Sequence, residues 1–357
     1  MRLNGHDAFR KSEVVDLGGG RKIELAEVLG RGEGSVVYAG VLSSAFGVRR
    51  RVAVKMFPSL SSDDAEVVAE ALAVAAAKGA CVEHPNVVRT YEFGFFYGQP
   101  YVVMERVDGV SLRRFLEHAV SGGRRVPLDL ALYVGAEIAG ALDGARTARG
   151  TDGVHLGLNH LALSASEVLL SWRGEVKVAD FGYSSARAAS STVRSLRSVA
   201  KRVDTMSPEV ARGRKGDARS DVFSLGLLVR ELLVGPRFPR GMAHDEILSL
   251  ARDGHILGRC IEPDLPGDLA NILHRALQVD PEDRYPSVSA MAWDLRRAAI
   301  AMGAADARDV LRRALARELG VDACEITQET VLPAQDDAEE LADADVIDIS
   351  PAARRRK

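Results

Sequence analysis

The chain has 357 residues, of which 27% are charged and 46% hydrophobic, and its formal net charge is −3. This near-neutral balance excludes the strongly basic class of nucleic-acid and membrane-surface binders. Its three cysteines lie too far apart for a disulfide framework or a C-x-x-C zinc site, and no run of about 18 apolar residues predicts a membrane span. We therefore expect a soluble, cytoplasmic globular protein with room for two domains.

The first third of the chain favours β-strands. Residues 1–21 are polar and form a lead-in. Between residues 22 and 108, short runs rich in β-branched and aromatic residues alternate with glycine and proline, which is typical of a twisted antiparallel sheet. One helix is predicted to interrupt these strands, with cap candidates at 61–64 and an end near Ala77.

The next part, residues 109–300, favours helices. Apolar residues recur every three to four positions in 222–232, behind the cap candidates Ser220 and Asp221. Residues 301–330 predict a helical extension. Residues 331–357 are acidic and have too few apolar groups to offset the entropy of ordering, so they are predicted to be disordered.

A glycine-rich segment between two predicted strands runs from Leu29 to Tyr38 and reads LGRGEGSVVY. It resembles the protein-kinase glycine-rich loop G-x-G-x-x-G-x-V, with serine in place of the third glycine. The resemblance implies that the backbone at Gly30 and Gly32 approaches the phosphates of a nucleotide and that Val37 covers the adenine ring. A glycine-rich hairpin turn without a ligand is the alternative reading of this segment alone.

Lys55 ends a strand that reads VAVK and resembles the kinase V-A-I-K strand. An unpaired ammonium is costly to bury, so such a lysine needs a partner. The resemblance implies that Ala53 and Lys55 lie at the nucleotide, and that Lys55 contacts its α- and β-phosphates and pairs with a helix glutamate. Glu70 is the predicted partner and Glu66 the second choice. A solvated carboxylate is the alternative for Glu70.

Two further segments resemble the adenine and metal sites of kinases. Met104 would be the gatekeeper of the hinge, with backbone groups of Glu105 and Val107 facing adenine. The sequence Asp-Phe-Gly from Asp180 is an intact D-F-G, whose aspartate binds the Mg²⁺ that bridges the β- and γ-phosphates.

Later segments resemble the A-P-E element, the start of the central helix and the D-P-x-x-R element, and they predict a pair between Arg284 and buried Glu209. Because these segments occur in the same order as in protein kinases, residues 22–300 resemble bacterial Ser/Thr protein kinases. The resemblance implies an α+β bilobal fold, with a small antiparallel β-sheet lobe that carries one main helix (22–108) and a large, mostly helical lobe (109–300).

The catalytic loop departs from the family pattern H-R-D-L-K-P-x-N. Residues 160–167 read HLALSASE. His160 matches, whereas Leu161 occupies the position of the arginine and Ala162 that of the catalytic aspartate. Ser164 replaces the lysine and Glu167 the metal-binding asparagine. A carboxylate is a good Mg²⁺ ligand, so Glu167 could keep a metal. The alternative is a solvated acid at the cleft edge.

A competing register begins at His155. Because the sequence contains no aspartate between Asp152 and Asp180, either register lacks the carboxylate that accepts the proton of the substrate hydroxyl. General-base positioning contributes roughly 10²–10⁴ to a rate, so we expect impaired catalysis.

The segment 183–203 is rich in serine and arginine and contains no acid. It predicts a phosphorylation target, a docking strip for an acidic partner, or a solvated loop. Complementary charge suggests that the acidic residues 336–348 dock back on it.

The sequence therefore predicts a pseudokinase that binds ATP, with Mg²⁺ as a candidate cofactor, and acts as a regulatory or scaffolding partner of other proteins, such as an active kinase or its substrate. No nucleic-acid partner is expected. The alternatives are an active atypical Ser/Thr protein kinase that transfers the ATP γ-phosphate, and an interaction module without nucleotide.

Overall fold

Antiparallel strands make up most of the small lobe in the computed structural model, which describes residues 13–32, 35–57, 65–161, 163–182, 203–239, 241–256, 265–303 and 307–320. The strands are β1 Val14–Gly18, β2 Arg21–Gly32, β3 Ser35–Ser43, β4 Arg49–Met56, β5 Thr90–Phe96 and β6 Gln99–Glu105. They form a six-stranded sheet in the order β1-β2-β3-β4-β6-β5. The predicted antiparallel small lobe is confirmed.

The two faces of this sheet pack differently because side chains alternate along each strand. Ala53 of β4 packs on the face covered by helix α1, Ala65–Ala80, and Lys55 has the same strand parity. The intervening positions of β4 belong to the apolar cluster on the other face, namely Val52, Val54 and Met56. The cap candidates predicted for α1 at 61–64 lie outside the described residues.

The large lobe is mainly helical, as predicted. Its helices are α2 Leu112–Ser121, α3 Leu128–Thr147, α4 Pro208–Ala211, α5 Ala218–Val234, α6 His244–Arg252, α7 Gly267–Ala276, α8 Val288–Ala301 and α9 Ala307–Leu319. Three short strands, β7 Gly109–Ser111, β8 Val168–Ser171 and β9 Val176–Val178, form a second sheet. None of the helices in the described ranges is both long and apolar enough to cross a membrane.

The cap predicted for α5 at Ser220 and Asp221 is wrong. The helix begins at Ala218, and Asp217 caps it by accepting a hydrogen bond from the Arg219 backbone. Ser220 and Asp221 lie in the first turn and are buried. The Ser220 hydroxyl completes a capping box by accepting a 3.2 Å hydrogen bond from the Asp217 backbone amide, whereas the Asp221 carboxylate accepts hydrogen bonds from backbone amides of another segment of the large lobe.

A buried ion pair joins α4 to the segment before α8. Arg284 donates two parallel hydrogen bonds of 2.9 Å to the two carboxylate oxygens of Glu209. The remaining donors of Arg284 bind backbone carbonyls of Arg219, Gln278 and Val279. The predicted pair is confirmed, and it holds three segments of the large lobe together.

The predicted helical extension is interrupted. Helix α8 ends at Ala301, and α9 covers Ala307–Leu319. Helix α9 packs on α2 and α3, and its buried Glu318 accepts a 2.9 Å hydrogen bond from Arg124. This helix is therefore packed on the large lobe, and the acidic residues 331–357 lie outside the described residues.

Candidate functional site

A cavity of about 460 Å³ lies between the two lobes. Most of the predicted nucleotide-binding residues line it, namely Gly30, Val37, Ala53, Lys55, Met104, Glu105 and Val107. Ser164, Glu167 and Asp180 line it from the large lobe. Gly32 ends β2, where it pairs with Ser35 of β3. Residues as far apart in the sequence as Gly30 and Asp180 are thus brought to one cleft.

The segment that follows β6 offers backbone groups to the cavity. Met104 is buried beside Ala53 in the sheet. The amide of Glu105 donates to the carbonyl of Arg89, and its carboxylate pairs with Lys177 at 2.7 Å. Glu105 and Val107 both line the cavity, where their backbone groups would face a base.

Lys55 is buried at the inner end of the cavity and makes an ion pair with Asp180, at 2.5 Å between Nζ and Oδ2. Asp180 adopts a left-handed backbone conformation, with φ of 68°. Such a conformation is uncommon for a non-glycine residue and here aims the carboxylate at the lysine. The two groups that would contact the phosphates and a metal are thus joined directly.

The predicted pair between Lys55 and Glu70 is wrong. Glu70 is exposed on α1, and so is the second candidate, Glu66. The inward side of α1 is apolar, with Val68, Ala71, Leu72, Ala75 and Ala76 packed against the sheet. A Cβ atom at Gly182 would lie 2.8 Å from the Ala75 carbonyl, so α1 packs directly on the D-F-G segment. Within the described residues α1 therefore offers no acid to Lys55.

The position of His160 favours the first of the two catalytic-loop registers. The Nε2 atom of His160 lies 2.9 Å from the carbonyl of Ala179, and its ring packs edge-on against Phe181. His155, the competing match, is exposed and forms an isolated bridge with Arg149. His160 is thus the histidine that contacts the D-F-G segment.

Asp221 anchors the catalytic loop, a role that the sequence analysis missed. Its two carboxylate oxygens accept hydrogen bonds from the backbone amides of His160 and Leu161, each at 2.7 Å. Burial raises the pKa of Asp221 to about 7, although the two amides oppose this shift. The signal in the sequence was an acid at the start of an otherwise apolar helix, which we assigned to capping.

The remaining loop positions are those at which the sequence departs from the family pattern. Leu161 has a φ of 56° and no charge to offer a phosphorylated segment. Ala162 lies outside the described residues, and its identity alone shows that no carboxylate stands there. Ser164 donates a 2.5 Å hydrogen bond to Glu167, and both side chains are buried. The segment 183–202, with its serines and arginines, also lies outside the described residues.

Two carboxylates that could bind a magnesium ion, those of Glu167 and Asp180, line the cavity. The backbone carbonyl of Glu167 accepts a hydrogen bond from Ala179, which places Glu167 beside Asp180. In the part of the chain that the structure describes, no cluster of three or more acidic, histidine or cysteine side chains could hold a metal by itself. Mg²⁺ is usually bound by one or two carboxylates together with substrate phosphates, so the donor set is sufficient only when a nucleotide is present.

Comparisons with known proteins agree with this geometry. The family model described as protein tyrosine and serine/threonine kinase matches residues 23–295. The chain is 34% identical over 272 residues to the tyrosine-protein kinase MasK of Myxococcus xanthus, covering 75% of this chain and 41% of that protein. It is 32% identical over 288 residues to the serine/threonine-protein kinase PknB of Mycobacterium tuberculosis, covering 77% of this chain and 42% of the relative. The chain therefore spans about two fifths of the length of these relatives.

Solved structures show the same fold. A crystal structure of the Mycobacterium tuberculosis PknI kinase domain superposes with a TM-score of 0.57 at 22% identity, covering 78% of this chain and 95% of that chain. A second crystal structure of that domain superposes with a TM-score of 0.55 at 23% identity and covers 83% of this chain and 99% of that chain. At this level of identity the likeness concerns the fold alone.

Proposed function

Because the chain belongs to the protein tyrosine and serine/threonine kinase family, we propose that it binds ATP in the cleft, transfers the γ-phosphate poorly, and acts through contacts with other proteins. The observation that carries this proposal is the Lys55–Asp180 ion pair in a cleft where α1 supplies no acid.

The features that support nucleotide binding line the cavity. Val37 and Ala53 provide an apolar enclosure for a base, and Lys55 provides a cation for phosphates. Asp180 and Glu167 would hold Mg²⁺ together with the phosphates. The metal would supply charge neutralisation at the β- and γ-phosphates. The protein's own residues orient the nucleotide and exclude water from its base.

Two separate losses support weak catalysis. Phosphoryl transfer depends on positioning and charge stabilisation, and a kinase needs both its lysine–glutamate pair and its metal-bound aspartate. Here Lys55 is paired with Asp180, the proposed metal ligand, so a metal would have to compete with the lysine for this carboxylate. The missing carboxylate at Ala162 removes the group that orients the attacking hydroxyl, worth roughly 10²–10⁴ in rate.

A kinase-like protein that binds ATP but transfers its phosphate poorly acts mainly through its contacts with other proteins. We therefore assign it a regulatory or scaffolding role. We place this role in the cytoplasm and in a Ser/Thr kinase pathway, because PknB, one of the two curated relatives above, is a serine/threonine-protein kinase by name. The partners proposed are an active kinase or its substrate.

One observation favours the alternative of an active atypical kinase. Glu167 accepts a hydrogen bond from a serine hydroxyl inside the cavity, so a buried carboxylate able to bind a hydroxyl group is present. In this alternative Glu167 takes the role of the missing base, and Glu167→Gln abolishes transfer.

Nucleotide binding is tested with Lys55→Ala. At about 100 times its Kd, ATP should stabilise the wild type by about 2.7 kcal/mol and raise its melting temperature by about 5 °C. In Lys55→Ala the shift on adding ATP and Mg²⁺ should fall to about 1 °C, because the phosphates lose their cation.

The matched control is Lys78→Ala, which removes an exposed lysine at the end of α1. Its ATP-induced shift should equal that of the wild type. Equal shifts in Lys55→Ala and the wild type, or no shift in the wild type, would reject the proposal.

A further inference from the structure

We propose that the cleft takes a nucleotide with an additional phosphate on its ribose, and that the Arg114 guanidinium binds this phosphate. The inference rests on the proposed nucleotide binding and specifies its ligand. It comes from a part of the cavity wall to which the kinase motifs assign no role.

The two ends of the cavity define where a sugar must lie. Glu105 and Val107 are at the end where a base is bound, and Lys55 and Asp180 are at the end for the 5′ phosphates. On the large-lobe side the cavity is also lined by Ser111, Arg114 and Ser166. In the proposal the ribose of a bound nucleotide lies beside these three residues.

The first turn of α2 fixes the position of Arg114. Ser111 caps the helix, and its hydroxyl oxygen accepts a 3.2 Å hydrogen bond from the Arg114 amide. This turn contains no acidic residue. The N-terminus of a helix carries partial positive charge, so a cation is unfavourable there and an anion is favourable. Arg114 thus lies at a position where the helix dipole disfavours a positive charge.

The neighbouring charges are already engaged. Arg113, the adjacent residue, pairs with Glu231 at 3.2 Å and lies 3.6 Å from Asp204. Of the cavity acids, Glu105 is paired with Lys177 and Asp180 with Lys55. Among the described residues no ion pair or side-chain hydrogen bond involves the Arg114 guanidinium, which is exposed at the cavity wall.

A ribose phosphate is the anion that matches this position. The hydroxyl groups of an unmodified ribose are neutral and offer a guanidinium only weak hydrogen bonds. A phosphate on the 2′ or 3′ oxygen presents a charge, and arginine binds phosphate by two parallel hydrogen bonds. Ser111 and Ser166 add hydroxyl groups on the same wall.

The test compares ligands that differ only by this phosphate. Calorimetric titration of the full chain uses AMP, adenosine 3′,5′-bisphosphate and adenosine 2′,5′-bisphosphate, with ATP as reference. We expect at least one bisphosphate to bind roughly tenfold more tightly than AMP, as a charge-assisted arginine–phosphate pair implies. In Arg114→Ala this preference should vanish, and in Arg114→Lys part of it should persist.

The matched control is Arg297→Ala, on the exposed side of α8, which should leave the preference unchanged. Equal binding of AMP and both bisphosphates to the wild type would overturn the inference, and so would a preference that survives in Arg114→Ala. An acidic peptide that binds the wild type and loses affinity in Arg114→Ala, while both bisphosphates bind like AMP, would assign Arg114 to a protein partner instead. If ATP binds in these titrations, the nucleotide binding in the proposed function stands whatever the ribose result, whereas no binding of any nucleotide rejects both proposals.

Discussion

Restoring four missing groups together, by Ala75→Glu, Ala162→Asp, Ser164→Lys and Glu167→Asn, is expected to raise phosphate transfer to a peptide roughly 10³-fold over the wild type. The new carboxylate on α1 would form an ion pair with Lys55, so that Asp180 could bind the metal. Ala75 is the position chosen because α1 packs on the D-F-G segment there. The initial rate with labelled ATP is the measurement.

The three catalytic-loop substitutions without Ala75→Glu should gain much less, roughly tenfold or under, because Lys55 still binds Asp180. Adding Glu70→Ala to the three should change nothing, since Glu70 is exposed. Near-UV circular dichroism of each variant shows whether it is folded. If the three substitutions alone reach the rate of the four, the account of α1 is wrong.

The second large effect concerns stability. Arg284→Ala should lower the free energy of unfolding by about 3–5 kcal/mol, because it leaves the Glu209 carboxylate buried without its partner. Urea unfolding of the full chain measures it. Arg297→Ala, which removes an exposed arginine with a partner 3.8 Å away, should change it by less than about 1 kcal/mol. Equal effects would contradict the assignment.

The same pair sets part of the response to acid. Burial raises the pKa of Glu209, but hydrogen bonds from Arg284 and Ser220 outweigh it and lower the pKa from 4.5 to about 2. A lowered folded-state pKa stabilises the fold above pH 4.5, and this contribution is lost as the pH falls toward 2. The loss is on the order of 3 kcal/mol. Glu209→Gln should lack this part of the pH dependence.

The sequence predicted correctly those parts of the fold that local residue patterns determine. Runs rich in β-branched and aromatic residues, bounded by glycine and proline, predicted β4 and its neighbours, and the resemblance to the V-A-I-K strand placed Lys55 at the end of β4. The order of motifs predicted which distant residues share the cleft, and nearly all of them line it.

The wrong predictions have a common cause. They depended on contacts between residues far apart in the sequence, which local patterns do not show. Helix α1 carries alanine and valine on both its buried and exposed sides, with Val67 and Val74 exposed. Periodicity therefore could not show that Glu70 faces away from Lys55. The choice between His155 and His160 likewise depended on the contact of His160 with the carbonyl of Ala179, which lies 19 residues further along the chain.

The most direct test of the central claim is a single-turnover measurement, with the full chain in excess over ATP labelled on the γ-phosphate and Mg²⁺ present. We expect the label to be retained on the protein by filter binding and recovered, after hours, as intact ATP. Retention should be lost in Lys55→Ala. Label recovered as phosphoprotein or free phosphate at a rate that falls in Asp180→Ala would contradict the account, because the cleft would then be that of a working kinase.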